Sequence, residues 1–576
     1  MLSSQLLRRS FLVGGIVPTL AVIGASGCSS AFFRGQSPDV EELVEDIENP
    51  RFVGDVTGTW GINFAKVEAV ALVTQLNGTG SDPRPSGRRE KLIGDMLANK
   101  VRTPKTVLES PDTSLVLVRA FLPPGIQKGD RFDVEVRIPS RSQTASLLGG
   151  YLMGTRLQPM EVLGPSIKTG HVMALAKGPV LVDSVFEGDD DQVLHTRGKV
   201  LGGGVATVSR KMGLVVRDSA KSIQTTMRIA RAVNKRFHTT HRGRKTGVAS
   251  PKNNEYVELL LPAQYKHNIA RYIRVVRNIA YYESSQERYA RLNLLRKQLH
   301  EPTRAAIAAL RLEGLGDEAV ETLKEGMQSQ NSEIRFYAAE ALAYMDVDEA
   351  IEPLAETART LIAFRYHALT ALAAMDAVES DTALRDLLHV ASAETRYGAF
   401  RAMQAKSSAD PLVRGKIMGD GFYYHLIPST GAPMVHFSRS RRPEIVLFGA
   451  DQPLRPGFVF VQAGWTVRSA GEGRMKVSHF QLDDENDKHE TCSNNLDSVI
   501  RTVAKLGGGY AQIDVRIGRA EPARVVQAAG QRKVDHAVAT AQADPAVAGA
   551  VAAGPGEEIE IQTGLTATGE DLDHAA

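Results

Sequence analysis

Four groupings of residues hold whatever chemistry this 576-residue chain has to offer, and none assembles a reactive centre. The stretches LGGGVA (201–206) and LGGGYA (506–511) are glycine-rich. They lack the Lys-Ser/Thr of a phosphate-cradling loop and the spacing of a dinucleotide fingerprint, so both are expected to be tight turns. EGDDDQ (187–192) lacks the alternate-position ligands and distal glutamate of a calcium loop, and reads as a solvated hairpin tip. Cys492 lies near His489 in DDENDKHETCSNN, too few donors for a metal, and is expected in a polar loop. With no G-x-S-x-G elbow, paired histidines or catalytic carboxylate pair, the sequence predicts a protein that is not an enzyme and uses neither metal nor cofactor.

The fourth grouping is a run of cations: Arg228, Arg231, Lys235, Arg236, His238, His241, Arg242, Arg244 and Lys245. It is a candidate contact for an acidic partner, an anionic envelope polymer or lipid headgroups. The whole chain is nearly neutral, 69 Lys+Arg against 66 Asp+Glu, so no global field argues for nucleic acid. Opposite in sign, the acidic tip at 187–191 is a candidate counterpart on a neighbouring copy.

The compartment is written at the start. Arg8 and Arg9 precede an apolar run, residues 11–25, that is interrupted by Gly14, Gly15 and Pro18. A membrane-spanning helix needs about 20 apolar residues, so the run is too short and too broken to cross. It fits an export signal over 1–27, and Arg8-Arg9-Ser10-Phe11-Leu12 resembles the twin-arginine address. Ala25-Ser26-Gly27-Cys28 resembles a bacterial lipobox, with Ala25 where leucine is usual, and makes Cys28 a candidate for lipidation and membrane anchoring. The alternative is an ordinary signal with an incidental cysteine. If Cys28 carries lipid, Cys492 has no disulfide partner, and a chain this long needs none.

Residues 28–52 read as a tether. From 53 to 283 strand signals dominate: an apolar run at 67–76 stopped by Asn77-Gly78-Thr79-Gly80, then TSLVLVRAFLPPG, then RFDVEVRI with Phe132, Val134, Val136 and Ile138 alternating. Two amphipathic helices interrupt them. One follows Asp218 as N-cap and presents Ile223, Met227, Ala230 and Val233; the other presents Ile269, Tyr272, Ile273 and Val276. This is an α+β module. The collinear series QLNGTG, LPPGIQKGDRFDVEV, SLLGGYLMGTRLQP, HVMALAKGPV and TTMRIARAVNKRF resembles the flagellar basal-body P-ring family. The resemblance implies a periplasmic ring component around the flagellar rod, structural in role; a lipidated start departs from that family's soluble character.

Beyond Glu301 the pattern turns helical. TRAAIAAL (Arg304), IRFYAAEALAYMD (Arg335), FRYHALTALAAMD (Arg365) and TRYGAFRAM (Arg396) align at steps of 31, 30 and 31 residues. They resemble HEAT-type repeats, which implies an all-α solenoid over 284–410. Arg335, Arg365 and Arg396 would form either a ladder of ion pairs or a partner-binding stripe. A small α+β domain is expected over 411–520 and a disordered tail, rich in small and polar residues, over 521–576. The sequence thus predicts a multidomain structural protein of the cell envelope, periplasmic and lipid-anchored, that self-associates or docks on basal-body proteins. The alternative is an envelope scaffold unrelated to the flagellum that binds partners through its helical repeats.

Overall fold

The computed structural model describes residues 51–513, apart from 164–165, 184–191, 242, 420, 455–457, 462–464, 472, 481–487 and 511–512. The signal with Arg8 and Arg9, Cys28, the tether to residue 50, the acidic tip at 187–191, Arg242 and the tail at 521–576 lie outside the described residues.

After β1 (Thr57–Trp60), six antiparallel strands close on themselves: β2 (Ala65–Thr74), β3 (Ser114–Leu122), β4 (Arg131–Arg137), β5 (Tyr151–Leu157), β6 (Ala174–Pro179) and β7 (Arg197–Ala206). The hydrogen-bonded order is β2-β3-β4-β7-β6-β5 and back to β2, a barrel. Closure leaves no open edge among these strands. β2 explains its own composition. Val67, Ala69, Ala71 and Val73 fill the barrel, while Val70 and Leu72 face outward under Leu92, Met96 and Leu108 of α1 (Gly87–Ala98) and α2 (Pro104–Glu109). A strand buried on both faces reads as an unbroken apolar run.

The expected turn at 201–206 is instead part of β7. Its pairing with β4 slips between Val200 and Gly204, a bulge rather than a reversal. Gly202 has φ +58°; a Cβ at Gly203 would lie 2.2 Å from Val200 Cγ1, and one at Gly204 would lie 2.4 Å from the Phe132 ring. The glycines admit close approach inside a barrel wall.

A second layer joins β1 to β8 (Met212–Val216), with β9 (His238–His241) and β10 (Arg244–Gly247) as a separate hairpin, then β11 (Ala249–Pro251) and β12 (Tyr256–Leu259); the sheet order is β11-β12-β8-β1. Helices α3 (Ile223–Arg236) and α4 (Ile269–Arg277) cover it. Ser222, not Asp218, caps α3, accepting the Thr225 N–H at 3.0 Å. The buried face of α3 is Thr226, Ile229, Ala230 and Val233; Ile223 and Met227, expected inside, are 66% and 49% exposed. Ala230 and Val233 are buried as expected, and the stripe is completed by Thr226 and Ile229 in place of Ile223 and Met227. On α4 the expected Ile269, Tyr272, Ile273 and Val276 are all buried.

From Ser285 the chain is helical: α5 (Ser285–Leu299), α6 (Ala305–Leu315), α7 (Val320–Met327), α8 (Ser332–Ala343), α9 (Ile351–Thr360), α10 (Arg365–Ala374), α11 (Val378–Asp386) and α12 (Ala393–Lys406). α6, α8, α10 and α12 pack in one row, each against the next, with α7, α9 and α11 laid against them. The 30-residue step has a direct contact. Asp346 takes φ +59° at the end of its unit, and its Oδ1 accepts the N–H of Asp376 at 2.9 Å.

The last unit has two sheets. β13 (Lys416–Met418), β14 (Phe422–Ile427), β15 (Met434–Phe437) and β16 (Glu444–Phe448) are ordered β13-β14-β16-β15, with β14 and β16 parallel. β17 (Phe458–Val461), β18 (Trp465–Gly471), β19 (Arg474–His479) and β20 (Lys488–Ser493) form an antiparallel meander, followed by α13 (Leu496–Lys505). Cys492 is therefore in strand β20, paired with Met475, and not in a loop. Gly507 (φ +95°) and Gly508 return their N–H groups to Ala504 and Val503, ending α13 in a Schellman turn. Beyond the turn, Tyr510 and Ile513 are helical.

One apolar core runs from the four-stranded layer through the helices to Ile427, Met434, Val446 and Phe448 of the last unit. Leu342 and Leu372 are fully buried in it. Leu342→Asp or Leu372→Asp should each cost about 4 kcal/mol or more, a lost side chain plus an unpaired buried charge. Denaturant unfolding followed by circular dichroism measures this; wild-type stability in either variant would show the helical register to be wrong.

Candidate interaction surfaces

The junction between the α+β module and the helices is ionic and closed to solvent. Arg271 on α4 gives Nε and Nη2 to Glu313 Oε2 on α6, at 3.0 and 2.6 Å, and Nη1 pairs with Glu340 on α8 at 2.5 Å. Tyr265 donates its hydroxyl to Glu313 Oε1 at 2.5 Å and stacks on Tyr344, over whose ring the Arg271 guanidinium also lies at 4.7 Å. Asn268 donates to the Tyr344 hydroxyl at 3.1 Å, and Arg236 Nε to the Glu313 carbonyl at 2.7 Å. Burial pushes the Glu313 carboxyl up, opposed by Arg271. Burial works against the Arg271 charge, yet Glu313 and Glu340 outweigh it and raise its pKa. None of this was read from the sequence. The signal is a charge set inside an apolar run: Arg271 in IARYIRVV, Glu313 in ALRLEGL, Glu340 in YAAEALA.

Of the repeated arginines, Arg335, Arg365 and Arg396 turn donors inward, while Arg304 meets Glu301 at the surface, at 3.5 Å. Arg335 Nη1 bonds the carbonyls of Ser329 and Gln330, just past the end of α7, at 2.8 and 2.9 Å. Arg365 bonds the Ala358 carbonyl of α9 at 3.2 Å and Glu394 of the next unit at 2.6 Å. Arg396, 2% exposed, reaches into the last unit and bonds the Ala432 carbonyl at 2.7 Å. Cations near helix C-termini satisfy carbonyls that the helix leaves unpaired. The neighbouring Arg401 meets Glu444 at 2.8 Å, and Arg442 does so from the strand's own side, also at 2.8 Å. Although burial resists the charged form, these arginines and His425 hold Glu444 well below the usual carboxylate range.

The basic run divides. Arg236 is drawn to the junction, whereas Arg231 and Lys235 stand exposed on α3, and Arg244 and Lys245 on the β9–β10 hairpin. Arg228 is half-buried over the Tyr282 ring at 5.0 Å. Beside the C-terminus of α3, Lys235, Arg236 and His238 share a groove of about 390 Å³ with Arg288, Asp317 and Glu318. Among the described residues, no cluster of three or more His, Cys, Asp or Glu is placed to hold a metal.

Residues 53–290 match the sequence model of the family described as flagellar P-ring protein, a span that takes in the barrel, the four-stranded layer, α3, α4 and the start of α5. The match stops short of the remaining helices and the last unit. Among curated relatives, the chain is 28% identical over 197 residues to the flagellar P-ring protein of Caulobacter vibrioides, covering 32% of this chain and 50% of the relative. It is 26% identical over 236 residues to that of Thermotoga maritima, covering 39% and 66%. With flagellar P-ring protein 2 of Bradyrhizobium diazoefficiens it shares 31% over 176 residues, 28% and 44% of the two chains. The chain thus spans from under half to about two thirds of the length of these relatives.

Arg271→Met should leave Glu313 and Glu340 buried without their cation, costing about 3–5 kcal/mol at neutral pH. Burial holds the Glu313 folded-state pKa above its unfolded value, so the folded state binds the extra proton. Stability of the variant should therefore rise as pH falls through the folded pKa, the gain being complete below the unfolded one. Thermal unfolding at stepped pH checks this; a loss that does not shrink in acid would contradict it.

Proposed function

We propose that this protein is a non-catalytic structural component of the bacterial cell envelope that associates with the flagellar basal body, as a self-associating subunit or a docked one. The observation that carries the reading is that the P-ring match, 53–290, coincides with a complete folded module of barrel, sheet and covering helices. The reading places the protein in the periplasm, exported through Arg8 and Arg9 and held to a membrane by lipid on Cys28. Its partners are proteins, copies of itself among them, and it uses no nucleic acid, metal or cofactor. The helical stack, read as HEAT-type, and the last unit lie beyond the match and supply interaction surface of their own. A flagellum-independent scaffold is the weaker reading, because the named counterparts of the 53–290 module are flagellar.

Two measurements test this. Purified basal bodies should contain the chain; its absence from them, together with sedimentation as a monomer, would overturn the flagellar reading. Cys28→Ala should move the protein from the detergent phase to the aqueous phase in a phase-partition assay. A wild type already aqueous, with its mature N-terminus elsewhere, would remove the anchor.

A further inference from the structure

The outer face of α3 has no partner within the described chain. Ile223, Met227 and Arg231 follow one another at four-residue steps along it, flanked by Arg228 and Lys235. At its foot, Tyr282 is 53% exposed with two guanidinium groups over its ring, Arg228 at 5.0 Å and Arg51 at 5.9 Å. Arg244 and Lys245 continue the positive surface on the exposed hairpin. No described carboxylate forms an ion pair with Arg51, Arg228, Arg231, Lys235, Arg244 or Lys245, although Arg288, Arg291 and Arg296 of the neighbouring helix α5 are all paired.

We propose that this surface seats on an anionic lipid bilayer. The cations match the headgroups, and the exposed Ile223 and Met227 supply apolar contact that a hydrophilic polyanion would leave unused. The connection of the chain supports the same occupant. Arg51, inside the patch, is where the described residues begin, and 22 residues separate it from Cys28 (29–50). A lipid tether followed by a polybasic patch is the two-signal arrangement that gives stable membrane attachment. The inference rests on the envelope location proposed above and not on flagellar association.

The test uses the full chain carrying Cys28→Ala, so that lipid plays no part, sedimented with vesicles of phosphatidylcholine alone or mixed with phosphatidylglycerol. Binding is expected to the mixed vesicles only and to fall as salt rises. Each cation near an anionic surface is worth roughly fivefold, so Arg228→Glu/Arg231→Glu/Lys235→Glu should weaken partition by about a hundredfold or more. Ile223→Ser/Met227→Ser should weaken it less. These side chains lie on the outer side of α3, and an unchanged unfolding midpoint confirms that the variants fold. No binding to either vesicle, equal binding to both, or undiminished binding by the charge-reversed variant overturns the proposal. If the charge-reversed variant still binds vesicles but no longer co-purifies with basal bodies, the surface serves an acidic protein instead.

Discussion

The angle at which the helical stack meets the α+β module depends on one buried cation. Arg271 is shared between two carboxylates on α6 and α8, neighbours in the row, with the Tyr265 hydroxyl on the other oxygen of Glu313. Such a group is poor value as a source of stability, because desolvating three charges cancels most of their attraction. Its worth is in position. A guanidinium presents its donors in a fixed planar fork, so both helices must arrive at set angles for the charges to be neutralised. An apolar junction would tolerate sliding; this one does not.

The same logic recurs at the other end of the stack. α12 sends Arg396 and Arg401 into the last unit, to a loop carbonyl and to Glu444. That unit in turn touches the barrel: Asp133 of β4 accepts N–H groups from Gly202 at 2.8 Å and from Arg441 at 2.7 Å. Burial raises the Asp133 carboxyl pKa against those two hydrogen bonds. Leu181, next to the barrel, is buried in the core of the last unit. Barrel, sheet, helices and last unit therefore brace one another in a circuit.

Legibility followed periodicity. Alternation in RFDVEVRI and the paired apolar positions of α4 placed their elements correctly, since each has one buried face and the count records it. The helical spacing at Arg304, Arg335, Arg365 and Arg396 located helix starts because each unit repeats the same neighbours. Failures came where long-range contact overrode local pattern. LGGGVA carries every mark of a turn, and the Phe132 ring, the Val200 side chain and the Arg441 carbonyl explain why glycine is needed inside a strand. Cys492 looked like loop because its neighbours are polar, as strand residues at a sheet edge are. On α3, Ile223 and Met227 were assigned inward by hydrophobicity alone, and the buried face includes Thr226 instead. The junction charges were invisible for the opposite reason: each sits singly in an apolar run, and their meeting depends on the fold.

Gly202 shows how tightly that circuit is drawn. A Cβ there would lie 2.4 Å from the Arg441 carbonyl oxygen, so two backbones separated by 239 positions pass without room for a methyl group. The helical stack spans the distance between them, as a gauge block spans a gap. Adding or removing one unit of about 30 residues would displace its far end by roughly the 8–10 Å separation of packed helices, and the carbonyl would no longer meet the glycine. The number of units is thereby a dimension of the protein, fixed by a gap that must close, and such a stack can vary in its surface residues but not in its length.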